Sequence, residues 1–183
     1  LARVSTVQAI ALDALGDSDG EKRFSLAAVD LARQAGAKSE EALYLANLSD
    51  FYRKNGEYAT ALQHLHKALP LTRELKNLNG EMVALANIGL AQIALGEIDT
   101  GKRNLRLAID IDERRGALSG MAETYLEMGQ ALERAGDLPG AVEAFHLQRT
   151  LEDQVLARNQ QKAILEMQEA FDNGRRTREL ELL

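Results

Sequence analysis

Apolar and small residues along the chain recur with a step of 40 positions. The positions that keep this step are Leu45, Leu85 and Tyr125; Leu48, Ile88 and Met128; Gly56, Gly96 and Gly136. Self-similarity at a period of about 20 to 50 residues is typical of a solenoid, in which each unit buries its apolar face only by stacking on the next. The pattern therefore predicts a row of similar stacked units.

The unit that starts at Ser39 reads as two helices joined by a tight turn. Leu45 and Leu48, followed by Tyr52, are spaced by three and four residues, which places them on one face of a first helix. Ser39 is expected to cap the amino terminus of that helix, since a serine side chain accepts hydrogen bonds from first-turn amides. Gly56 is expected to end it, because glycine adopts the left-handed conformation that a tight turn requires.

The second helix of the unit carries small and aliphatic residues on its inner face. They are Ala61, Leu62, Leu65, Ala68 and Leu69. Pro70 is expected to kink this helix, because proline lacks a backbone donor and crowds the preceding turn. Asn79-Gly80 is expected to end it and to open the next unit.

Small residues also recur where the two helices of a unit are expected to cross. They are Ser49, Gly89 and Gly129 in the first helix and Ala61, Gly101 and Ala141 in the second. Glycine inside a helix costs about 1 kcal/mol relative to alanine. The interior glycines therefore indicate that the helices approach closely at this point.

The motif Leu45-x-x-Leu48-Ser49-x-x-Tyr52, followed by Gly56-x-Tyr58-x-x-Ala61-x-x-x-Leu65-x-x-Ala68, resembles the tetratricopeptide repeat. The next two units repeat it, with about 40 residues in place of the usual 34 or so. The resemblance implies an all-α, right-handed superhelical solenoid of antiparallel helix pairs with a long C-terminal helix. We expect a degenerate N-terminal helix pair over residues 1–38, three repeats over 39–150, and a long helix or coiled-coil linker over 151–183.

Composition and motifs narrow the chemistry. Strong helix formers dominate, and the formal charge of −6 argues against nucleic acid as a partner. The chain has no cysteine, and no apolar run approaches the roughly 18 residues of a membrane span. His64, His66 and His146 do not form a convincing ligand set, and no nucleophile with a base and no phosphate-binding loop is present. We therefore expect no metal, no cofactor and no catalytic residue in these 183 residues.

The concave face that the resemblance implies is formed by the first helix of each unit. Asn47 and Asn87 share one position there, and in peptide-binding relatives an asparagine at the matching position holds the backbone of an extended ligand. The third unit has Glu127 at this position. The full set of expected ligand-binding residues is Asn47, Asp50, Arg53, Lys54, Val83, Asn87, Leu90, Glu127, Gln130 and Arg134. Alternatively, the two asparagines recur only because the repeat was duplicated.

The pattern changes after Phe145. Leu151, Val155, Ile164, Met167 and Phe171 form a narrow apolar seam that is compatible with a coiled coil. Residues 161–183 are similar to the helix that joins tetratricopeptide sensor regions to a membrane span and an output domain in bacterial signalling proteins. The Asn173-Gly174 pair puts the continuity of this helix in doubt. The alternative is an amphipathic helix that docks on the last repeat.

These observations favour a non-enzymatic module that binds a peptide, a protein or a small ligand. The tail resemblance implies the sensory region of a bacterial protein that transduces a signal to a downstream GGDEF diguanylate cyclase or histidine kinase domain, with a homodimer formed through the C-terminal helix. The alternatives are a cytoplasmic peptide-sensing regulator of transcription and a plain scaffold. Both ends suggest a fragment of a longer protein. The compartment is open: the periplasmic side of a membrane is favoured over the cytoplasm.

Overall fold

The computed structural model describes residues 18–181, in which seven α-helices and no strand are found. The helices are α1 (Ser18–Gln34), α2 (Lys38–Lys54), α3 (Tyr58–Glu74), α4 (Leu78–Ala94), α5 (Ile98–Arg115), α6 (Leu118–Arg134) and α7 (Leu138–Glu181). Each packs against the next along the chain. The all-helical solenoid expected from the sequence is confirmed. The first helix of the expected N-terminal pair falls within residues 1–17, outside the described residues.

A tight turn recurs every 20 residues and separates the helices. Five of the turns place a glycine in the left-handed region, with φ between 66° and 86°. These are Gly36, Gly56, Gly96, Gly116 and Gly136. The helix ends predicted at Gly56, Gly96 and Gly136 are therefore confirmed. The sixth turn has Lys76 at the same place, with φ of 52°.

Lys76 provides a first test of this turn geometry. A non-glycine residue in the left-handed region costs about 1–2 kcal/mol of conformational strain. Replacing it by glycine relieves that strain, but the greater entropy of glycine in the unfolded state offsets part of the gain in stability. Lys76→Gly is therefore expected to raise the free energy of unfolding by about 0.5–1 kcal/mol. The measurement is chemical unfolding followed by circular dichroism. Gly96→Lys is the matched reverse change, since a Cβ added to Gly96 would have no atom within 4 Å, and it should destabilise the protein. Equal stability of the wild type and both variants would contradict the argument.

The helix starts differ from the sequence prediction. Ser39 is not a cap: α2 begins at Lys38, Ala37 takes the cap position, and no side chain caps this end. Asn79-Gly80 does not end the second helix, because α3 ends at Glu74 and Asn79-Gly80 lies in the first turn of α4. The cap of α4 is Asn77, whose side chain accepts from the Gly80 amide at 3.0 Å. The left-handed residue of each turn fixes where the next helix starts. Pro70 lies inside α3, which continues as one helix to Glu74.

The helices form two layers. The first helices of successive pairs, α2, α4 and α6, contact one another, whereas the second helices contact one another less. Closer contact on one side bends the stack, so α2, α4 and α6 line its inner, concave side. The two layers meet in a core of aliphatic residues that includes the fully buried Leu45, Leu48, Leu65, Leu105 and Leu132.

The crossing of α4 and α5 confirms the predicted role of the small residues. A Cβ added to Gly89 would lie 2.7 Å from the Gly101 carbonyl oxygen, and a Cβ on Gly101 would lie 2.6 Å from the Gly89 carbonyl oxygen. Both distances are shorter than real Cβ contacts allow. The two backbones therefore meet at a place where only glycine fits.

The last helix extends well beyond the repeats. It spans 44 residues and continues through Asn173 and Gly174, so this pair does not break it. From residue 156 to residue 171 every side chain is exposed. No side chain of this stretch is therefore buried against the last repeat. Within residues 18–181, no helix has both the length and the hydropathy needed to cross a membrane.

Candidate functional site

A cavity of about 610 Å³ opens on the concave side between the carboxyl-terminal ends of α2, α4 and α6. We call it the polar cavity. Six of the residues expected from the sequence line it: Arg53, Lys54, Leu90, Glu127, Gln130 and Arg134. These residues come from three helices that are separated in sequence by whole repeats. The solenoid therefore assembles a single site from equivalent positions of successive units.

The positively charged side chains of the polar cavity differ in their ion-pair and hydrogen-bond partners. Asp50 accepts a hydrogen bond from Arg53, with 2.6 Å between Oδ1 and Nη2, and its Oδ2 lies 3.2 Å from the Lys54 ammonium. Arg53 Nε is buried and has no hydrogen-bond partner within residues 18–181. Arg134 forms no ion pair within the same residues. The two arginines thus keep donors that the described part of the protein does not use.

Glu127 is the only carboxylate among the described lining residues of the polar cavity. Its burial raises the pKa of the carboxyl group, while Arg53 nearby lowers it and the charges of Glu123 and Asp50 raise it further. Burial has the largest effect on the pKa, because removing a carboxylate from water penalises its charged form. Independently of this shift, the three cationic residues Arg53, Lys54 and Arg134 outnumber the single carboxylate in the described wall.

A second cavity of about 560 Å³ lies toward the amino-terminal ends of α2 and α4 and the carboxyl-terminal end of α3. We call it the apolar cavity. Its wall combines Leu43, Ala46, Val83 and Ala84 with polar residues that include Glu40 and Asn79. Val83, expected on the binding face, therefore belongs to this cavity and not to the polar one.

Asn47 and Asn87 line neither cavity. Asn47 is exposed and Asn87 is half-buried. Each lies four residues after an apolar-cavity residue, Leu43 and Val83 respectively, and so occupies the same helix face. Asp50 is likewise beside the polar cavity and reaches it through its pairs with Arg53 and Lys54. The structure thus spreads the expected set along the concave surface from one cavity to the other.

Sequence reasoning missed part of the polar cavity. The additional lining residues are Tyr58, Ile93, Ala94, Gly96, Ile98, Ala131 and Ala135. A usable signal existed for Ala94, which is one period from both Lys54 and Arg134. Tyr58 and Ile98 are also one period apart, but they begin the second helices, which form the other layer. The turns carry them to the rim of the concave side.

The histidines do not converge on one site. His64 is half-buried and stacks on Tyr52, with ring centroids 5.2 Å apart and an angle of 5° between planes, whereas His66 is exposed. Burial lowers the pKa of His64, and Lys67 and Arg33 lower it further. In the described part of the chain, no three side chains of His, Asp or Glu are grouped so that they would hold a metal ion.

Comparisons with known proteins agree with this architecture. A family model described as a tetratricopeptide repeat matches residues 42–75. The chain is 22% identical over 110 residues to tetratricopeptide repeat protein 29 of Trypanosoma brucei brucei, which covers 60% of this chain and 23% of that protein. The chain therefore spans less than a quarter of this curated relative.

Solved structures share the fold at low identity. BtubC from P. vanneervenii superposes with a TM-score of 0.73 at 16% identity, covering 85% of this chain and 64% of that one. A Rap protein complexed with Competence and Sporulation Factor gives a TM-score of 0.68 at 17% identity, covering 84% and 44%. At such identities the likeness establishes the fold alone. The chain thus matches a tetratricopeptide repeat at residues 42–75 and shares the all-helical fold of these solved structures.

Proposed function

We propose that this tetratricopeptide-repeat module binds a peptide segment of a partner protein and that an acidic group of the peptide enters the polar cavity. The observation that carries the proposal is the charge of the cavity. Arg53, Lys54 and Arg134 surround it, and the only opposing carboxylate among its described wall residues, Glu127, has a pKa raised by burial. A carboxylate in this position would accept hydrogen bonds from the guanidinium of Arg134, which forms no ion pair within residues 18–181.

The physical case rests on the strength of charged hydrogen bonds. An arginine pairs with a carboxylate through parallel N–H donors, and such bonds are about twice as strong as neutral ones. Arg134 forms no ion pair within residues 18–181, so binding a carboxylate would not require it to give one up. The Rap structure described above holds a Competence and Sporulation Factor, which supports the idea that this fold accommodates a bound factor.

The test replaces Arg134 by glutamine and measures the binding of fluorescein-labelled peptides by fluorescence polarisation. The probe is a Gly-Ser peptide with two adjacent glutamates, compared with the same peptide carrying glutamines. The wild type is expected to prefer the acidic peptide, and Arg134→Gln to bind it about tenfold more weakly. Arg103→Gln is the matched control, since Arg103 is exposed on α5 and lines neither cavity. Equal binding of the acidic and neutral peptides by the wild type would refute the proposal.

We also propose that α7 connects the module to a second copy and to an output domain. Ile164, Met167 and Phe171 are spaced by three and four residues, lie on one face of α7, and are 51%, 67% and 66% exposed. Three large apolar side chains in one stripe suit a helix–helix seam. Two copies would bury this stripe against each other and would form a homodimer through the C-terminal helix.

A dimer through α7 is compatible with a sensory region whose output domain, such as a GGDEF or kinase domain, lies downstream. A ligand in the groove would change the output only if it bound one curvature of the solenoid, or one arrangement of α7, better than another. The exposed seam favours this interpretation over a scaffold or a regulator controlled by an upstream domain. A monomeric scaffold would leave these three large apolar side chains in water. Sequence that follows Leu183 in the parent gene would decide between them.

A further inference from the structure

We propose that the apolar cavity is a second subsite of the same groove and that it takes a large apolar side chain of the bound peptide. This inference rests on the proposed function, since it adds a specificity pocket to the peptide-binding groove. Its ligand class is an extended peptide with an aliphatic or aromatic residue at a fixed distance from an acidic one.

The walls of the apolar cavity are suited to such a side chain. Leu43 is 55% exposed, although it lies on the inner layer of the solenoid. The half-buried Val83 and the small residues Ala46 and Ala84 complete an apolar wall around about 560 Å³. An apolar side chain that enters would cover Leu43 and Val83 and remove them from water, which is favourable in proportion to the area covered.

The two cavities are ends of one continuous surface. On α2, Leu43, Asn47, Asp50 and Lys54 follow one another at three and four residues, which makes a single stripe along the helix. The apolar cavity lies at the beginning of this stripe and the polar cavity at its end. A stripe on α4 runs in parallel, from Val83 through Asn87 and Leu90 to Ala94. One ligand can therefore contact both cavities without leaving the groove.

The length of the stripe fixes the spacing in the ligand. From Leu43 to Lys54 the helix rises by about 16 Å at 1.5 Å per residue. An extended peptide covers that distance in about five residues. Between the cavities the peptide backbone would pass Asn47 and Asn87, whose amides can donate to and accept from peptide groups. An apolar residue about five positions from the acidic residue is therefore the expected recognition pattern.

The experiment uses the full 183-residue chain and a set of fluorescein-labelled Gly-Ser peptides with two adjacent glutamates. A single leucine is moved from about two to about twelve positions away, on either side, and a peptide without leucine is the reference. Binding to the wild type is expected to be tightest at about five positions, by roughly tenfold over the reference. Leu43→Asp should abolish this preference and leave the affinity for the reference peptide unchanged. Leu107→Asp is the matched control, because Leu107 is 47% exposed on α5 and lines neither cavity.

The outcomes separate the two proposals. If Arg134→Gln weakens all peptides but the position of the leucine has no effect, the acidic site stands and the second subsite is wrong. A maximum at about eleven positions would fit a helical ligand and would overturn the extended peptide. If neither the glutamates nor the leucine affects binding, both proposals fail. The preference for leucine at five positions could also persist in both Leu43→Asp and Val83→Asp. The pocket would then lie elsewhere, and its assignment to the apolar cavity would be refuted.

Discussion

Replacing Gly89 by alanine is expected to lower the free energy of unfolding by about 2–3 kcal/mol. The new Cβ would lie 2.7 Å from the Gly101 carbonyl oxygen and 2.7 Å from Leu105 Cγ. The carbonyl belongs to the backbone of α5 and cannot rotate away, so α4 and α5 must separate. Alanine gains about 1 kcal/mol in helix propensity, and the separation of two packed helices costs more than this gain. Thermal unfolding followed by circular dichroism should show a lower Tm.

Gly129→Ala is the matched control for this prediction. Gly129 occupies the same position one repeat later, but the atoms nearest to its added Cβ belong to the Phe145 ring, at 2.6 Å and 2.7 Å. A partly buried side chain can shift to a new rotamer, so the cost should be clearly smaller than for Gly89→Ala. A Gly89→Ala variant as stable as Gly129→Ala would show that the α4–α5 crossing is not limited by backbone contact.

Met167→Asp is expected to convert a dimeric protein into a monomer. In the proposed seam each copy contributes Ile164, Met167 and Phe171, and burying each side chain is worth about 1.5–3 kcal/mol. A carboxylate at the centre of the seam would have to give up its hydration against an apolar partner and against its symmetry mate, which opposes association. Sedimentation velocity at several protein concentrations measures the oligomeric state. The helix content of the repeats should not change, since Met167 is 67% exposed in the isolated chain.

Leu165→Asp is the control that makes the result specific. Leu165 is on the same helix and is 52% exposed. Its replacement by aspartate introduces the same charge as Met167→Asp. It faces away from the seam, toward the turn between α5 and α6, where it lines a separate cavity with Gly116 and Ala117. A monomeric wild type would refute the dimer. Equal loss of the dimer in both variants would show that the seam is not the contact surface.

Local features of the fold could be predicted from the sequence because they depend on residues close together in the chain. The spacing of Leu45 and Leu48 gives a helix, Gly56 ends it, and the paired Gly89 and Gly101 indicate a close crossing. The prediction failed for Ser39 as a cap and for Asn79-Gly80 as a helix end, because the turns with the left-handed residue lie a few residues earlier in the chain.

The candidate site could be predicted only in part. Repeat positions identified Arg53, Glu127 and Arg134 as neighbours on a concave surface. The raised pKa of Glu127 and the unpartnered Nε of Arg53 depend on burial and on side chains from other repeats, which no spacing along the chain reveals. Sequence could not divide the surface into a polar and an apolar cavity either.

The 40-residue period by itself determined the helix pairs and the turns at Gly56, Gly96 and Gly136, since each follows from contacts within one or two neighbouring helices. Only the tertiary structure decided which of those faces become cavities and where the stack ends. The polar cavity forms because α2, α4 and α6 lie along the inner side of a curved stack. The packing contacts between repeats set the curvature of that stack. The seam of α7 is exposed because this helix extends beyond the length of the earlier second helices, to where no described helix packs against it.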